Sequence, residues 1–540
     1  MPPLRRPPAL ALALLLSAAP AAFAQRTFEQ PQDPCKVKAG HHLVNGGMMH
    51  LKVAVETGNE RTRQERLDRA QDVIVRAILE NNQADNPGAW YYLARYYVEI
   101  DDAVGADSAF RRMSALMPEC EAEASRYLAR LQPAVRAAAL EAWQAGAIDS
   151  AAALLRLAGS LGPADPEIPF LQARMYADQR QFDSASKYVE IGIQRAAGDT
   201  TYAQRQRQVM LELVRGREAV AFDSPAIQRF AEARLRRDSI AQAVENDRSR
   251  LETLIQEWAG KNLRPETQQA VSRDSTMLAD RIAAGVVRSE EIEAEAARDS
   301  SAAAEAFREA FTAYDRYLEL YPDDTNIVLT LLRRHSLIGD VDGIERITAR
   351  VETIAGVDPA ELTQAGVSVF NDGHPAQAAR LLELSATRNP YMQSTQYALA
   401  RACYAMRDAA ALRRAANNLI ALDPLNPQSV RMLAAAWELA GEQDSVTKYV
   451  ALADSGLGLA VTVTQFMPAA TSATVNGSIQ NVSATPSTPG TIVFEFLDAS
   501  GAAVGAATVD VPPLESRRRH AFTARADVAG AVAWRYRRQR

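Results

Sequence analysis

Catalytic signatures are what this 540-residue chain lacks. It has no G-x-S-x-G nucleophile turn, no H-E-x-x-H zinc helix, no Walker phosphate loop and no G-x-G-x-x-G dinucleotide turn. Its carboxylates are numerous but scattered, as expected of solvated helix faces. A formal net charge of −6 denies it the strong basic footprint that general nucleic-acid binding requires. Beyond the N-terminus no apolar run reaches the roughly 20 residues of a membrane-spanning helix. There are three cysteines, and Cys35 with His41, His42 and His50 forms the one metal-like cluster. Its spacing fits no zinc pattern. The expectation is therefore a protein without metal or cofactor, acting by binding and not by catalysis.

What is present begins with a leader. In residues 1–24, Arg5 and Arg6 precede an apolar run from Ala9 to Leu16, and Ala22-Phe23-Ala24 supplies a small-x-small cleavage site. This layout predicts export, cleavage before Gln25, and a mature chain in the periplasm, in the cell envelope or secreted. Cysteines exported to an oxidising compartment tend to pair. Cys35 and Cys120 lie just outside the predicted helices and form a candidate disulfide, which sequence leaves open because pairing depends on geometry. Cys403 falls on a packed helix face and is expected to be a buried thiol.

Residues 87–118 carry the organising pattern. Trp90, Leu93, Ala94 and Tyr97 share one helix face, Ala106 and Phe110 mark a second helix, and Pro118 closes it. This resembles the tetratricopeptide repeat, a 34-residue helix–turn–helix unit with the pattern W-x2-L-G-x2-Y…A-x3-F…P, Ala94 standing in for the glycine. Small residues let the paired helices approach, and large ones fill the next unit's groove. A degenerate pair precedes it at residues 43–56 and 66–80. A short extra helix carrying Tyr127 and Leu131 is expected between Pro118 and Gln132. The phase resumes at Ala151, Leu155, Ala158 and Pro163, then at Ala185 and Val189. Farther on, Gly366, Val369, Gly373, Ala378, Leu382 and Pro390 recur in part 34 residues later as Ala400, Cys403 and Pro424, with Leu419 on the second helix between them, and again as Ala434, Trp437, Gly441 and Val450.

Between the two runs, residues 201–309 lose proline punctuation and gain charge. Ile240, Val244, Leu251, Leu254 and Trp258 lie near heptad spacing, and a loop signal at Lys261–Pro265 separates them from further helix. Long helices forming an insertion or hairpin are expected. Past Gly458 the apolar period changes to alternation. Short strands are predicted at residues 461–463, 474–479, 492–497, 507–511, 520–524 and 531–536. These suggest a small immunoglobulin-like sandwich with Phe494, Phe496, Trp534 and Tyr536 in its core. The stretches 477–483 and 494–501 resemble bacterial FxLYD-type envelope domains.

The expected fold is thus mainly α, a right-handed tetratricopeptide-repeat solenoid with a small C-terminal all-β sandwich. Its expected divisions are a leader (1–24), an N-terminal solenoid (25–200), the long-helix insertion (201–309), a C-terminal solenoid (310–456) and the sandwich (459–540). The resemblance implies a scaffold for protein–protein interaction, with envelope carbohydrate binding or an enzyme site in the β module as the alternative. In the repeat family, groove residues lie one and five places after the Trp90 position. Here those are Tyr91 and Arg95, Arg136 and Leu140, Phe170 and Arg174, Tyr397 and Arg401, and Arg431 with Ala435. Rings interleaved with guanidiniums suit an acidic or carboxylate-ended peptide.

Overall fold

The computed structural model describes residues 26–258 and 264–539; the predicted leader and most of the Lys261–Pro265 loop lie outside them. The chain divides into two compact units between Gly216 and Arg217.

The first unit is built of antiparallel helix pairs. They are α1 (His42–Glu56) with α2 (Glu60–Glu80), α3 (Pro87–Glu99) with α4 (Ala103–Leu116), α5 (Glu121–Gln144) with α6 (Ile148–Leu161), and α7 (Glu167–Asp178) with α8 (Phe182–Arg195). Local chemistry sets their ends. Asn86 accepts from Gly88 N at 2.9 Å and Pro87 occupies the first turn of α3, while Asp102 caps α4 through Gly105 N. Ala94, Ala106 and Phe110 are buried, as the repeat pattern requires.

The predicted short helix before Gln132 is not separate: α5 runs unbroken for 24 residues through Pro133. Pro133 and Ala129 both lie on the exposed side, so the Ala129 carbonyl that loses its helical donor faces water. The disulfide joins Cys35 to Cys120, with Cα atoms 4.5 Å apart and a sequence separation of 85. Closing so long a loop contributes on the order of 4 kcal/mol in the chain-entropy account.

Helix α9 (Ala203–Phe222) spans the division between the units. The second unit continues with α10 (Pro225–Trp258) and α11 (Pro265–Leu320), antiparallel helices of 34 and 56 residues. The expected boundary at 309/310 is absent, because α11 runs straight across it. No glycine or proline interrupts residues 286–321, and Ala303, Phe307, Ala310, Tyr314 and Tyr317 bury one continuous stripe. Gly285 faces the Val244 side chain, which leaves no space for a β-carbon where the two helices touch. Arg234 of α10 donates to the Leu337 carbonyl at 2.8 Å and to Asp372 at 2.7 Å, which binds the long hairpin to the repeats that follow.

Those repeats pair α12 (Thr325–Ile338) with α13 (Val341–Thr353), α14 (Pro359–Asn371) with α15 (Pro375–Arg388), α16 (Gln393–Ala405) with α17 (Ala409–Leu422), and α18 (Pro427–Leu439) with α19 (Gln443–Ala451). Cys403 is a buried free thiol on α16, and burial pushes its pKa up to about 11. Two three-stranded antiparallel sheets complete the unit. They comprise β1 (Leu459–Pro468), β2 (Ala473–Asn481), β3 (Gly490–Leu497), β4 (Ala503–Val511), β5 (Arg519–Ala526) and β6 (Ala533–Gln539), ordered β1-β2-β5 and β4-β3-β6. Side chains from both sheets, including Phe494, Phe496, Trp534 and Tyr536, form one core.

That core is not closed by the strands alone. Leu425, in the turn between α17 and α18, packs against it, and the Leu425 carbonyl accepts from Val461 N at 2.9 Å. The Leu425 amide donates to the Tyr536 hydroxyl at 3.0 Å, and that hydroxyl donates to buried Asp423. Residues 459–539 therefore share buried hydrogen bonds with the last repeats, and the sequence boundary at 458 is not a structural seam.

The small-residue rule of the repeat gives a direct test at Gly366. A β-carbon there would lie 2.7 Å from Leu382 Cγ across the α14–α15 crossing. Gly366→Val is expected to lower stability by roughly 1–3 kcal/mol. The denaturant midpoint of the second unit measures it, and an unchanged midpoint would contradict the close crossing.

Candidate peptide-binding face

In the first unit, α1, α3 and α5 are the first helices of successive hairpins, and an extended segment before α1 lies across all three. The Phe28 amide donates to Glu56 at the end of α1, at 3.2 Å. Its ring sits 4.0 Å from the Arg95 guanidinium on α3, and Arg95 also donates to the Glu29 carbonyl. The Glu29 carboxylate accepts from Arg126 and Arg130 on α5, each at 2.8 Å. The segment then passes over Gly88, where the Lys38 carbonyl leaves no room for a side chain, and Asn86 donates to the Ala39 carbonyl at 2.8 Å.

Beneath this arm lies a prearranged polar floor. Glu123 is buried and accepts from the Tyr91 hydroxyl at 3.1 Å and from Arg126 at 2.8 Å. Arg95 is 4% exposed, stacked between Phe28 and the Tyr127 ring, whose centroid is 4.8 Å away. Burial pushes the Glu29 carboxyl upward, but the hydrogen bonds and charges of Arg130 and Arg126 outweigh it and hold Glu29 below its ordinary value. Phe28 is 4% exposed, and burying such a ring stabilises the arm by about 1.5–3 kcal/mol. Alongside remains an open cleft of about 430 Å³ lined in part by Arg26, Glu99, Asp101 and Arg130.

This geometry corrects the open-groove expectation. Tyr91, Arg95 and Phe170 are buried: the arm covers Arg95, Tyr91 packs against Phe110 and Tyr127, and Phe170 packs beneath Gly192 of α8. Arg136 lies 4.0 Å from Asp165, Arg174 bonds Glu212 at 2.9 Å, and Arg431 bonds Asp454 at 2.9 Å. Leu140 is half-buried against the apolar cluster of α5, α6 and α7. Tyr397, Arg401 and Arg431 stand exposed as the groove pattern expects, with Arg401 4.9 Å from the Phe370 ring centroid.

The residues the pattern missed are Phe28, Glu29, Arg126, Tyr127 and Arg130. Their one sequence signal was the i, i+4 spacing of Arg126 and Arg130 beside Tyr127. In the cysteine–histidine cluster, Cys35 sulfur is committed to the disulfide and His41 Nδ1 accepts from Leu43 N at the start of α1. Asn481, one of two matches to a glycosylation signal, is buried and donates to the Leu514 and Thr485 carbonyls.

A second cavity, about 460 Å³, lies in the second unit where the last repeats meet the sheets. Tyr391, Tyr397, Gln393, Gln428, Phe466 and Trp534 contribute to its lining. Among the described residues no group of acidic, histidine or cysteine side chains is placed to hold a metal, and no helix is long and apolar enough to cross a membrane.

Helix pairs repeated in series, with small residues such as Gly47 and Gly366 at their crossings and antiparallel sheets at the C-terminal end, define a mainly α solenoid of tetratricopeptide type. Comparison with protein-family descriptions and with curated proteins finds no match. Solved structures of similar fold include MamA, 19% identical over 29% of this chain and 91% of its own, at a TM-score of 0.22. The Cut9–Hcn1 hetero-tetramer of the APC/C is 13% identical over 76% of this chain and 96% of its own, at 0.25. A human IFIT1 dimer with m7Gppp-AAAA is 13% identical over 77% and 90%, at 0.18. Likenesses this distant say nothing of function.

Asp423 makes the junction with the sheets sensitive to pH. Burial pushes its pKa up to about 6, although the Tyr536 and Asn426 hydrogen bonds pull the other way. The native state thus keeps a proton that the unfolded chain releases near 3.8. Stability falls as pH rises through this window, by on the order of 3 kcal/mol. Unfolding midpoints of the second unit between pH 4 and 7 should decline in the native chain and flatten in Asp423→Asn. Parallel profiles for the two would contradict the assignment.

Proposed function

We propose that this chain is a non-catalytic scaffold that binds protein partners through the first-helix faces of its repeats, after export to the cell envelope. The observation that carries the reading is the arm itself. A first-helix face of this solenoid holds an extended polypeptide by a ring, a backbone carbonyl and a carboxylate, which is how such a face would hold a partner's chain. In the second unit the equivalent face offers Tyr397 and Arg401 to solvent. Export rests on the leader-like residues 1–24 and is consistent with a disulfide between Cys35 and Cys120.

The alternative, carbohydrate binding at the β module, draws on the cavity where Tyr391, Tyr397 and Trp534 adjoin Gln393 and Gln428. Placing a photo-crosslinking residue at Tyr397 in the full-length chain separates the two. The scaffold reading expects one recurrent protein crosslinked in the envelope fraction, on a mature chain whose mass begins at Gln25. Crosslinks to glycan alone, or a chain that retains Met1 in the cytoplasm, would overturn it.

A further inference from the structure

We propose that the α3–α5 face is a site for extended segments bearing an aromatic residue followed directly by a carboxylate, with Phe28-Glu29 as its displaceable resident. The inference deepens the scaffold reading and rests on it. The partner is identified by chemistry: an unstructured acidic segment of the Phe-Glu type.

Three features separate this arm from ordinary chain packing. First, its contacts are those of a ligand. One ring lies on a guanidinium, one carboxylate oxygen accepts from two guanidiniums, and one backbone carbonyl accepts from Arg95. Second, much of the site is arranged by residues other than the arm. Buried Glu123 holds Arg126 and the Tyr91 hydroxyl, and the Tyr127 ring stacks on Phe110 at 5.9 Å between centroids. Vacating the site would take from Arg126 and Arg130 the carboxylate oxygen they share, a place that an incoming carboxylate fills.

Third, the arm is hinged at its base. Cys35, six residues after Glu29, is bonded to Cys120 directly before α5. Residues 26–34 are therefore able to leave the face while the disulfide keeps the segment from 35 onward on the hairpins. The Glu29, Arg126 and Arg130 side chains are 41%, 30% and 47% exposed, so their bonds are reachable by solvent and by a competitor. A tethered occupant competes at an effective concentration that reaches the millimolar range, so a partner in trans sees the site weakened by its occupied fraction.

The test uses the full chain and a labelled synthetic peptide of residues 27–34, TFEQPQDP. Phe28→Ala with Glu29→Ala should free the face, and peptide affinity should rise about tenfold or more over the native chain. Replacing the peptide's own Phe-Glu pair by Ala-Gln, or adding Arg130→Glu to the protein, should remove that gain. Peptide affinity equal to that of the native chain, with helicity and the disulfide intact, overturns the proposal. If the double variant does not fold, hydrogen exchange in Arg130→Glu decides. The amides of residues 28–30 and 32 should exchange about tenfold faster than in the native chain while α3 stays protected, and unchanged exchange overturns the proposal. Crosslinking from Tyr397 reads the scaffold independently, so its persistence without peptide binding would leave the scaffold reading standing and this site refuted.

Discussion

Everything in this structure follows from one constraint: a single helical hairpin cannot bury its own apolar faces. Each pair exposes a face that only the next pair, or something standing in for one, is able to cover. Small residues at the crossings, such as Gly366 against Leu382 and Gly47 against Ile74, bring the paired helices close enough to share their side chains. Where neighbouring pairs leave a face uncovered, the chain supplies a substitute. In the first unit it is the disulfide-bonded arm across α1, α3 and α5. In the second it is the pair of sheets, whose core takes in Leu425 and whose Tyr536 hydroxyl reaches Asp423.

Charge follows the same economy. Arginine is frequent, but most forks expected to await a partner already hold a carboxylate of the same unit, as Arg136, Arg174 and Arg431 do. Such half-exposed pairs contribute little stability each. They do remove the surface from consideration as a uniform cationic groove. Arg95, Arg126 and Arg130 differ because they converge, from two helices, on one acidic residue of a segment that belongs to no repeat. Convergence of guanidiniums on one acidic residue is therefore a feature of the α3–α5 face, not of every first helix named in the groove pattern.

Much of the architecture was legible in the sequence because it is written in period. The 34-residue phase placed the buried Ala94, Phe110, Leu155, Cys403 and Ala434, and the switch to alternation placed all six strands. Cys35 and Cys120 emerged as candidates because they fell outside helices. Length was less legible: α5 and α11 each absorbed a predicted boundary, since an exposed Pro133 is tolerated and residues 286–321 offer no breaker. The groove was least legible. A periodic rule marks which positions point at the first-helix face, but not whether a distant stretch of the chain already lies there. Phe28 and Glu29 follow the leader and carry no period, so only three-dimensional placement shows them on Arg95 and Arg130.

The central claim is that this face is covered by the chain's own arm. Hydroxyl-radical footprinting of the full chain tests it most directly, because it reads side-chain exposure residue by residue. The account predicts that Phe28, Tyr91 and Tyr127 are protected while Tyr397 and Tyr404, 40% and 50% exposed, are modified readily. Modification of Tyr91 and Tyr127 at the rate of Tyr404 would contradict it.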